Sequence, residues 1–597
     1  MINTKDVHQQ FSEFFHEDKI KPYAYLVSKR MQDGHICIDA DEVTENLSTL
    51  PYTKAIPPAQ LPKLTELVTT DSTTIRPFVL HKNKLYFQRY FSYETRILEA
   101  IGYLLKEEKK SFDIRKAALE KHRDLLLDFK ATFEIQGLPK EEQTDWQMVA
   151  IIQSVLHNFS IITGGPGTGK TTTVAKILAL LFAMDANCNV ALAAPTGKAA
   201  MRMAESLKNA ELPVNDTIKD KLKSLSPNTI HRLLKYIPDS VNFKFNKSNP
   251  LPFDVVIVDE ASMIDVALFA KLLDAIGPNT RIILLGDKNQ LASVEAGSLF
   301  GDLCRATEKP NVFTQDSLKF INEFIPESGR KMNHEAIAKA AHPLSGHLVE
   351  LQKSHRFNST GGIGKFSRAI INNDTQALLE FATSTTDASV TLEPIENSNV
   401  FETFIDGYQD YILESDISKA LQKFNQLRVL CAVREGPQGL YGINRAIENY
   451  LFKKNLLVPT GEFYENRPII ITQNNPDLKL FNGDIGILRK DHQGNMRAWF
   501  EDSGKVIRSV MPGYIANAET VFAMTVHKSQ GSEYAEVLLM LPHHYGEKIL
   551  TRELLYTAVT RAKEKVVVQT TPDLLLQTAA AQVKRTSGII HRFEEIK

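Results

Sequence analysis

The run Ile161-Ile162-Thr163-Gly164-Gly165-Pro166-Gly167-Thr168-Gly169-Lys170-Thr171-Thr172 carries the densest chemistry in the chain. Gly164, four residues, then Gly169-Lys170-Thr171 is the spacing of a phosphate-binding loop. Glycines let the backbone fold tightly, so that several N–H groups point at one anion. A helix opening near Lys170 adds its positive dipole end. Lys170 can reach the β- and γ-phosphates, and the Thr171 hydroxyl can ligate Mg²⁺. A second chemical pair, Asp259-Glu260, follows the β-branched run Val255-Val256-Ile257-Val258. At a strand end about 90 residues past Lys170, Asp259 can hold Mg²⁺ and Glu260 can polarise an attacking water. Gln290, in Gly286-Asp287-Lys288-Asn289-Gln290, can report on the γ-phosphate. Arg356, in Ser354-His355-Arg356-Phe357, and Arg561, in Tyr556-Thr557-Ala558-Val559-Thr560-Arg561-Ala562, are candidates to meet the developing phosphoryl charge. Gln147, shortly upstream of the loop, offers adenine a donor and an acceptor, although a solvated helix residue is the other reading.

These side chains need strand ends to hold them. Ile161 to Thr163 leads into the glycine loop, and Val174 to Leu181 reads as the helix after it. Val190 to Ala194, Val255 to Val258 and Arg281 to Leu285 read as buried strands, each ending in polar residues. Repeated βα units of this kind imply a parallel sheet with a ligand crevice along one edge. Residues 206–228 read as a lysine-rich surface excursion, and residues 306–350 as an irregular interdomain segment. A second α/β region starts near Leu351, places Arg356 and Arg561 in one half, and resumes with Thr520 to Val526 after an interruption. That interruption, residues 461 to about 515, holds short strands between glycine, asparagine and aspartate turns, which predicts a small β-barrel insert. Residues 1 to about 125 read as a small α-rich domain with one hairpin, Phe78-Val79-Leu80 and Leu85-Tyr86-Phe87. That domain is either a docking module or a structural appendage.

Bulk properties set the class. The chain has 597 residues, 43% hydrophobic and 24% charged, with a net charge of −1. Its length suggests about four domains of an ordinary globular protein. No run is long and apolar enough for a membrane span, and residues 1–8 lack a signal-peptide pattern, so a cytoplasmic protein is expected. The cysteines, Cys37, Cys188, Cys304 and Cys431, are too scattered for a disulfide framework or zinc site. A nucleic-acid partner must be held by a local basic groove, since there is no global positive field.

The phosphate loop, Ala194-Pro195-Thr196-Gly197-Lys198-Ala199-Ala200, Thr229-Ile230-His231-Arg232-Leu233-Leu234, Val258-Asp259-Glu260-Ala261-Ser262-Met263, Gly286-Asp287-Lys288-Asn289-Gln290-Leu291, Ser354-His355-Arg356-Phe357, Thr525-Val526-His527-Lys528-Ser529-Gln530-Gly531-Ser532 and Tyr556 to Ala562 stand in the order of superfamily 1 helicase motifs. With Asn482-Gly483-Asp484-Ile485-Gly486 where that family has its insert, the chain closely resembles the RecD family, the alpha subunits of exodeoxyribonuclease V (RecBCD). The resemblance runs from about Trp146 to the C-terminus and more weakly before it. It implies an α/β fold of two RecA-like P-loop lobes with parallel sheets. Residues 126–350 would form the first lobe, and residues 351–460 and 516–597 the second. An SH3-like barrel would span residues 461–515, and an N-terminal domain, residues 1–125, would dock on a RecC-like subunit. The implied activity is an ATP- and Mg²⁺-dependent motor moving 5′ to 3′ on single-stranded DNA, within a heterotrimer whose RecB-like subunit supplies the nuclease. No nuclease constellation is visible in this chain. The implied ATPase site is Gln147 for adenine, the loop residues Gly164, Gly165, Pro166, Gly167, Thr168, Gly169, Lys170, Thr171 and Thr172, and Asp259, Glu260, Gln290, Arg356 and Arg561. Thr171 and Asp259 would hold the metal. Thr196, His231, Thr525 and His527 would lie on or near the DNA track. Phosphate and sugar contacts from such residues predict salt-sensitive, sequence-independent binding. A stand-alone superfamily 1 helicase, or a nucleotide-gated assembly subunit that does not translocate, is the alternative.

Overall fold

The computed structural model describes residues 6–596 apart from 72, 132, 308, 338–341, 358–360, 384–386, 395–396, 503–505, 544–545 and 547–548. The first five residues of the N-terminal stretch read above for a signal lie outside the described residues. Among the described residues no helix is long and apolar enough to cross a membrane. Cys37, Cys188, Cys304 and Cys431 are buried free thiols.

The strand Phe159–Gly164 leads into the phosphate loop and sits inside a six-stranded sheet. Leu348–Leu351 flanks it on one side. Arg281–Gly286, Val255–Val258, Val190–Ala194 and the short Asn228–Thr229 continue the sheet on the other, every pairing parallel. Both faces are covered, so the central strands are mostly apolar. Alternate side chains go to opposite cores. Ile162, Ile257, Ile283 and Leu285 pack under helices Trp146–Leu156 and Lys170–Met184. Ile161, Val256, Val258, Ile282 and Leu284 pack under Gln88–Glu107 and Val266–Asp274. Because the strands are parallel, the phosphate loop, Asp259-Glu260, Asp287 to Gln290 and Ser354 to Arg356 all leave from one edge.

A second parallel sheet runs in the order Val390–Glu393, Ala562–Gln569, Tyr534–Met540, Leu427–Cys431, Ala523–Thr525. It has its own core, which includes Val429, Leu430, Leu538, Leu539 and Val566. Between its strands lies an antiparallel five-stranded sheet, ordered Ile507–Val510, Met496–Glu501, Ile485–Lys490, Pro468–Ile471, Ala518–Thr520. Its small core is Ile469, Ile471, Leu480, Leu488, Ala498 and Phe500.

Several boundaries move from their sequence-based positions. The run Thr520 to Val526 is two strands: Ala518–Thr520 pairs with Pro468–Ile471 of the insert, and Ala523–Thr525 pairs with Leu427–Cys431. Residue 515 therefore cuts the insert before its last strand. The N-terminal region is mixed, with helices Val7–Ser12 and Lys21–Gln32 beside a four-stranded sheet that contains the expected hairpin, Phe78–His81 with Lys84–Phe87. Nor does packing change hands at residue 125. Ile97, Leu98, Ile101 and Leu104 already belong to one core of the first sheet, and Leu119 and Leu126 to the other. The 206–228 excursion contains the helix Asp216–Ser224, which buries Ile218 and Leu222. The 306–350 segment ends in the edge strand Leu348–Leu351. The last turns leave the second sheet altogether: Ile589 and Phe593 pack in the first sheet's core, and Arg592 pairs with Glu94.

Candidate active site

Two glycines make the phosphate loop possible. Gly167 and Gly169 have φ of 77° and 85°, a conformation open to glycine but strained for other residues. Space is equally restrictive. A Cβ on Gly167 would lie 2.4 Å from the Arg356 Cβ, and one on Gly169 would lie 2.3 Å from the Gln147 amide nitrogen. Helix Lys170–Met184 starts directly after Gly169, so its free N–H groups face the loop. Lys170 folds back over that loop, donating to the carbonyls of Gly164 at 2.5 Å and Gly165 at 3.1 Å. Thr168 braces the turn through its own hydroxyl, which donates to Gly165 O at 2.8 Å. Gln147 donates to Thr168 O at 3.3 Å and accepts from Lys176 Nζ at 3.3 Å.

The cleft above the loop encloses about 710 Å³ and is lined by Gln147, Pro166, Gly167, Gly169, Lys170, Thr171, Thr172, Asp259, Glu260, Gln290, Arg356 and Arg561 among others. Gly164, Gly165 and Thr168 stand behind that lining as its scaffold. Asp259 follows the strand Val255–Val258, and its Oδ1 accepts from Glu260 N at 2.8 Å. Burial pushes the Asp259 carboxyl up; the adjacent Glu260 charge pushes it further, and Lys170 opposes both. Glu260 has φ of 54°, a left-handed backbone on a non-glycine residue. Such strain persists only where the surroundings hold it, and it turns the Glu260 side chain into the cleft beside Asp259. Thr171 and Asp259 together offer a hydroxyl and a carboxylate oxygen, the donor set that suits Mg²⁺.

Two arginines close the cleft, by different routes. Arg561 follows helix Arg552–Val559 of the second sheet's side. It is buried, donating from Nε to Thr557 O, from Nη1 to Ser532 O and from Nη2 to Gln290 Oε1 at 3.0 Å. Gln290 in turn donates to Asp287 Oδ2 at 3.0 Å, which also accepts from the Tyr556 hydroxyl at 3.0 Å. Arg356 does not belong to the second half, contrary to the sequence reading. It hangs from the edge strand Leu348–Leu351, beside the phosphate-loop strand. Ser354 Oγ donates to Pro166 O at 3.1 Å, and His355 N donates to Gly167 O at 2.8 Å, which fastens this segment to the loop. No Arg356 contact to the loop exhausts its guanidinium: Nη2 pairs with Glu533, and Nη1 is buried without a hydrogen-bond partner among the described residues. A buried, orphaned guanidinium nitrogen in a cleft is a donor awaiting an anion. Ser354, Tyr556, Asp287 and Glu533 escaped the sequence reading, although each lies within or next to a motif already singled out.

The four proposed DNA-track residues are not gathered in the same way. Thr196 caps helix Gly197–Lys208, accepting from Ala199 N at 3.2 Å. His231 is exposed, edge-on to Phe243. Thr525 is buried and its hydroxyl accepts from Lys528 N at 3.3 Å, so it shapes a turn rather than facing solvent. His527 is half-buried. Among the described residues no hydrogen bond joins one of the four to another. What meets instead is the Thr196-capped helix and the turn after His527: Arg202 Nη1 donates to Gly531 O at 2.7 Å.

A phosphate loop and acidic pair on one parallel sheet, with a buried arginine delivered from a second sheet, define a two-lobed P-loop ATPase. Comparison with known proteins narrows the class. Residues 147–296 match an AAA domain model and residues 520–569 a UvrD-like helicase C-terminal domain model. The RecBCD enzyme subunit RecD of Haemophilus influenzae is 33% identical over 557 residues, covering 87% of this chain and 82% of that one. The same-named subunit of Mycolicibacterium smegmatis is 36% identical, covering 76% and 75%. The ATP-dependent RecD2 DNA helicase of Deinococcus radiodurans is 28% identical over 72% of this chain and 48% of its own. Among solved structures, the Pif1 helicase of Candida albicans is 14% identical over 76% of this chain and 99% of its own, with a TM-score of 0.35. The chain belongs to the RecD family of ATP-dependent DNA helicases.

Proposed function

We propose that this helicase is the motor subunit of a RecBCD-type helicase-nuclease, translocating 5′ to 3′ along single-stranded DNA in double-strand break repair and recombination. The observation that carries the reading is the shared cleft. Lys170, Asp259 and Glu260 line it from one sheet and Arg561 from the other. A triphosphate held there links its own hydrolysis to the spacing of the two sheets, which is what a translocating motor requires. Lys170 and the loop N–H groups hold the phosphates, and Glu260 takes the proton of the attacking water. Gln290 couples the water side of the site to Arg561, and Arg356 and Arg561 neutralise the developing charge. Thr171 and Asp259 hold Mg²⁺, which supplies charge neutralisation on the phosphates. Gln147 faces adenine after releasing Thr168. Thr196, His231, Thr525 and His527 support the strand at the far ends of both sheets, Thr525 through the turn it shapes. The five-stranded insert closes as an SH3-like barrel within residues 461–520. The N-terminal region docks on a RecC-like subunit beside a RecB-like subunit, in the cytoplasm.

The test is DNA-stimulated ATPase and strand displacement by the chain purified with its co-expressed partners. Stimulation by single strands, with unwinding only from a 5′ overhang, is the expected result. ATPase indifferent to single strands would leave a nucleotide-gated assembly role, and unwinding from a 3′ overhang would overturn the direction.

A further inference from the structure

Glu533 has no role in the reaction just described, yet it is the most heavily paired carboxylate in the cleft. It precedes strand Tyr534–Met540 and lines the same cavity as Lys170 and Glu260. Its Oε1 takes Arg356 Nη2. Its Oε2 takes Arg202 Nη2 at 3.2 Å and Lys563 Nζ at 3.5 Å. Arg202 comes from helix Gly197–Lys208 on the first sheet, Arg356 from that sheet's edge strand, and Lys563 from the second sheet. Three cations from two lobes therefore converge on one carboxylate. Burial pushes the Glu533 carboxyl up, but Arg202, Arg356 and Lys563 outweigh it and hold it down at about 2. The group is a fixed negative charge at any physiological pH.

The chemistry of that arrangement is close to the chemistry of a bound phosphate. Arginine forks take carboxylate and phosphate oxygens through the same donors. Arg356 already spends Nη2 on Glu533, while its buried Nη1 has no hydrogen-bond partner among the described residues. A terminal phosphate over Lys170 and Glu533 would both draw on the Arg356 side chain, and only one can have all of it.

We infer that Glu533 is a positioning residue that competes with the terminal phosphate of ATP for Arg356 and Arg202, and so sets the preference of the cleft for triphosphate over diphosphate. The inference rests on reading the cleft as the ATP site. With Glu533 ionised, a triphosphate that takes the whole Arg356 fork must draw Nη2 away from an existing partner, beyond what Nη1 alone can give it; a diphosphate makes no such demand. Exposed ion pairs contribute little, but this one is half-buried and shared among three cations, so its removal is measurable.

The experiment is a titration of the full chain with fluorescent ATPγS and ADP analogues, for wild type, Glu533→Gln and Glu533→Asp. Glu533→Gln should tighten ATPγS binding about fivefold while moving ADP binding less than about twofold. Glu533→Asp, which keeps the charge, should restore the wild-type ratio. Steady-state ATPase should show the same effect as a lower KM. Equal shifts for ATPγS and ADP, or no shift for either, would overturn the competition and leave Glu533 a structural ion pair. Wild-type protein that binds neither nucleotide would sink the ATP-site reading itself, and this inference with it.

Discussion

The guanidinium of Arg561 donates from Nη2 to Gln290 Oε1 at 3.0 Å, joining a residue of the second sheet's side to a loop of the first. Both partners are buried. Their contact extends through Gln290 to Asp287 and on to the Tyr556 hydroxyl, so the two lobes share one continuous polar network at the cleft. Buried networks of this kind tolerate no missing member, because each deletion strands a desolvated group.

Arg561→Lys keeps the charge but loses the fork that meets Thr557, Ser532 and Gln290 at once. Loss of an arginine supplied to a phosphoryl-transfer site costs about 1,000-fold or more in turnover. DNA-stimulated kcat should fall by that order, with ATPγS binding changed far less. A near-normal kcat would remove Arg561 from the reaction.

Lys170 and Glu260 should separate binding from chemistry. Lys170→Gln should abolish hydrolysis and unwinding while the thermal unfolding profile stays that of wild type. Glu260→Gln should still bind ATPγS but lose turnover about 100- to 10,000-fold, the range for removing a general base. Single-turnover hydrolysis distinguishes the two.

The C-terminal turns should act as a clasp. Arg592 is buried beside Glu94, which it meets at 3.3 Å; it also donates to Thr95 Oγ1 at 2.7 Å and stands 4.2 Å over the Phe91 ring. Gly588 N donates to the same Glu94 at 2.8 Å. Breaking a buried pair from one side leaves an uncompensated charge and costs about 3–5 kcal/mol. Arg592→Ala should therefore destabilise the chain strongly in urea unfolding. Glu94→Gln with Arg592→Met should recover most of the loss. If Arg592→Ala unfolds like wild type, the tail is not anchored by this pair.

Acid should loosen the cleft through Glu533. Its folded-state pKa lies below the ordinary carboxylate value of 4.5, at about 2. The pairing is thus fully present above about pH 4.5 and is lost as pH falls toward 2, because the unfolded chain takes up the proton first. The contribution is at most about 3 kcal/mol. Denaturant unfolding of wild type against Glu533→Gln should show a gap that closes across this window. A gap independent of pH would mean that the pairing carries no such weight.

Which residues line the cleft was largely legible without coordinates. Gly164 to Thr172 declares itself because only glycine fits at Gly167 and Gly169, where φ is positive and an added Cβ would lie within 2.4 Å of a neighbour. Val255 to Val258 before Asp259 declares a strand because both faces of a parallel sheet must be apolar. Less was legible where one short stretch serves two sheets. Thr520 to Val526 looks continuous because β propensity is local, whereas partner choice between Pro468–Ile471 and Leu427–Cys431 is not.

What the sequence determined by itself is therefore the local set of candidate groups: local spacing dictates the loop, the acidic pair and the strand ends that carry them. Which sheet delivers Arg356, where the tail after residue 585 goes, and that Arg202, Arg356 and Lys563 meet on Glu533 were decided by tertiary structure alone. Most of those facts depend on contacts between residues well over a hundred positions apart, and no periodicity along one segment encodes where another segment will pack.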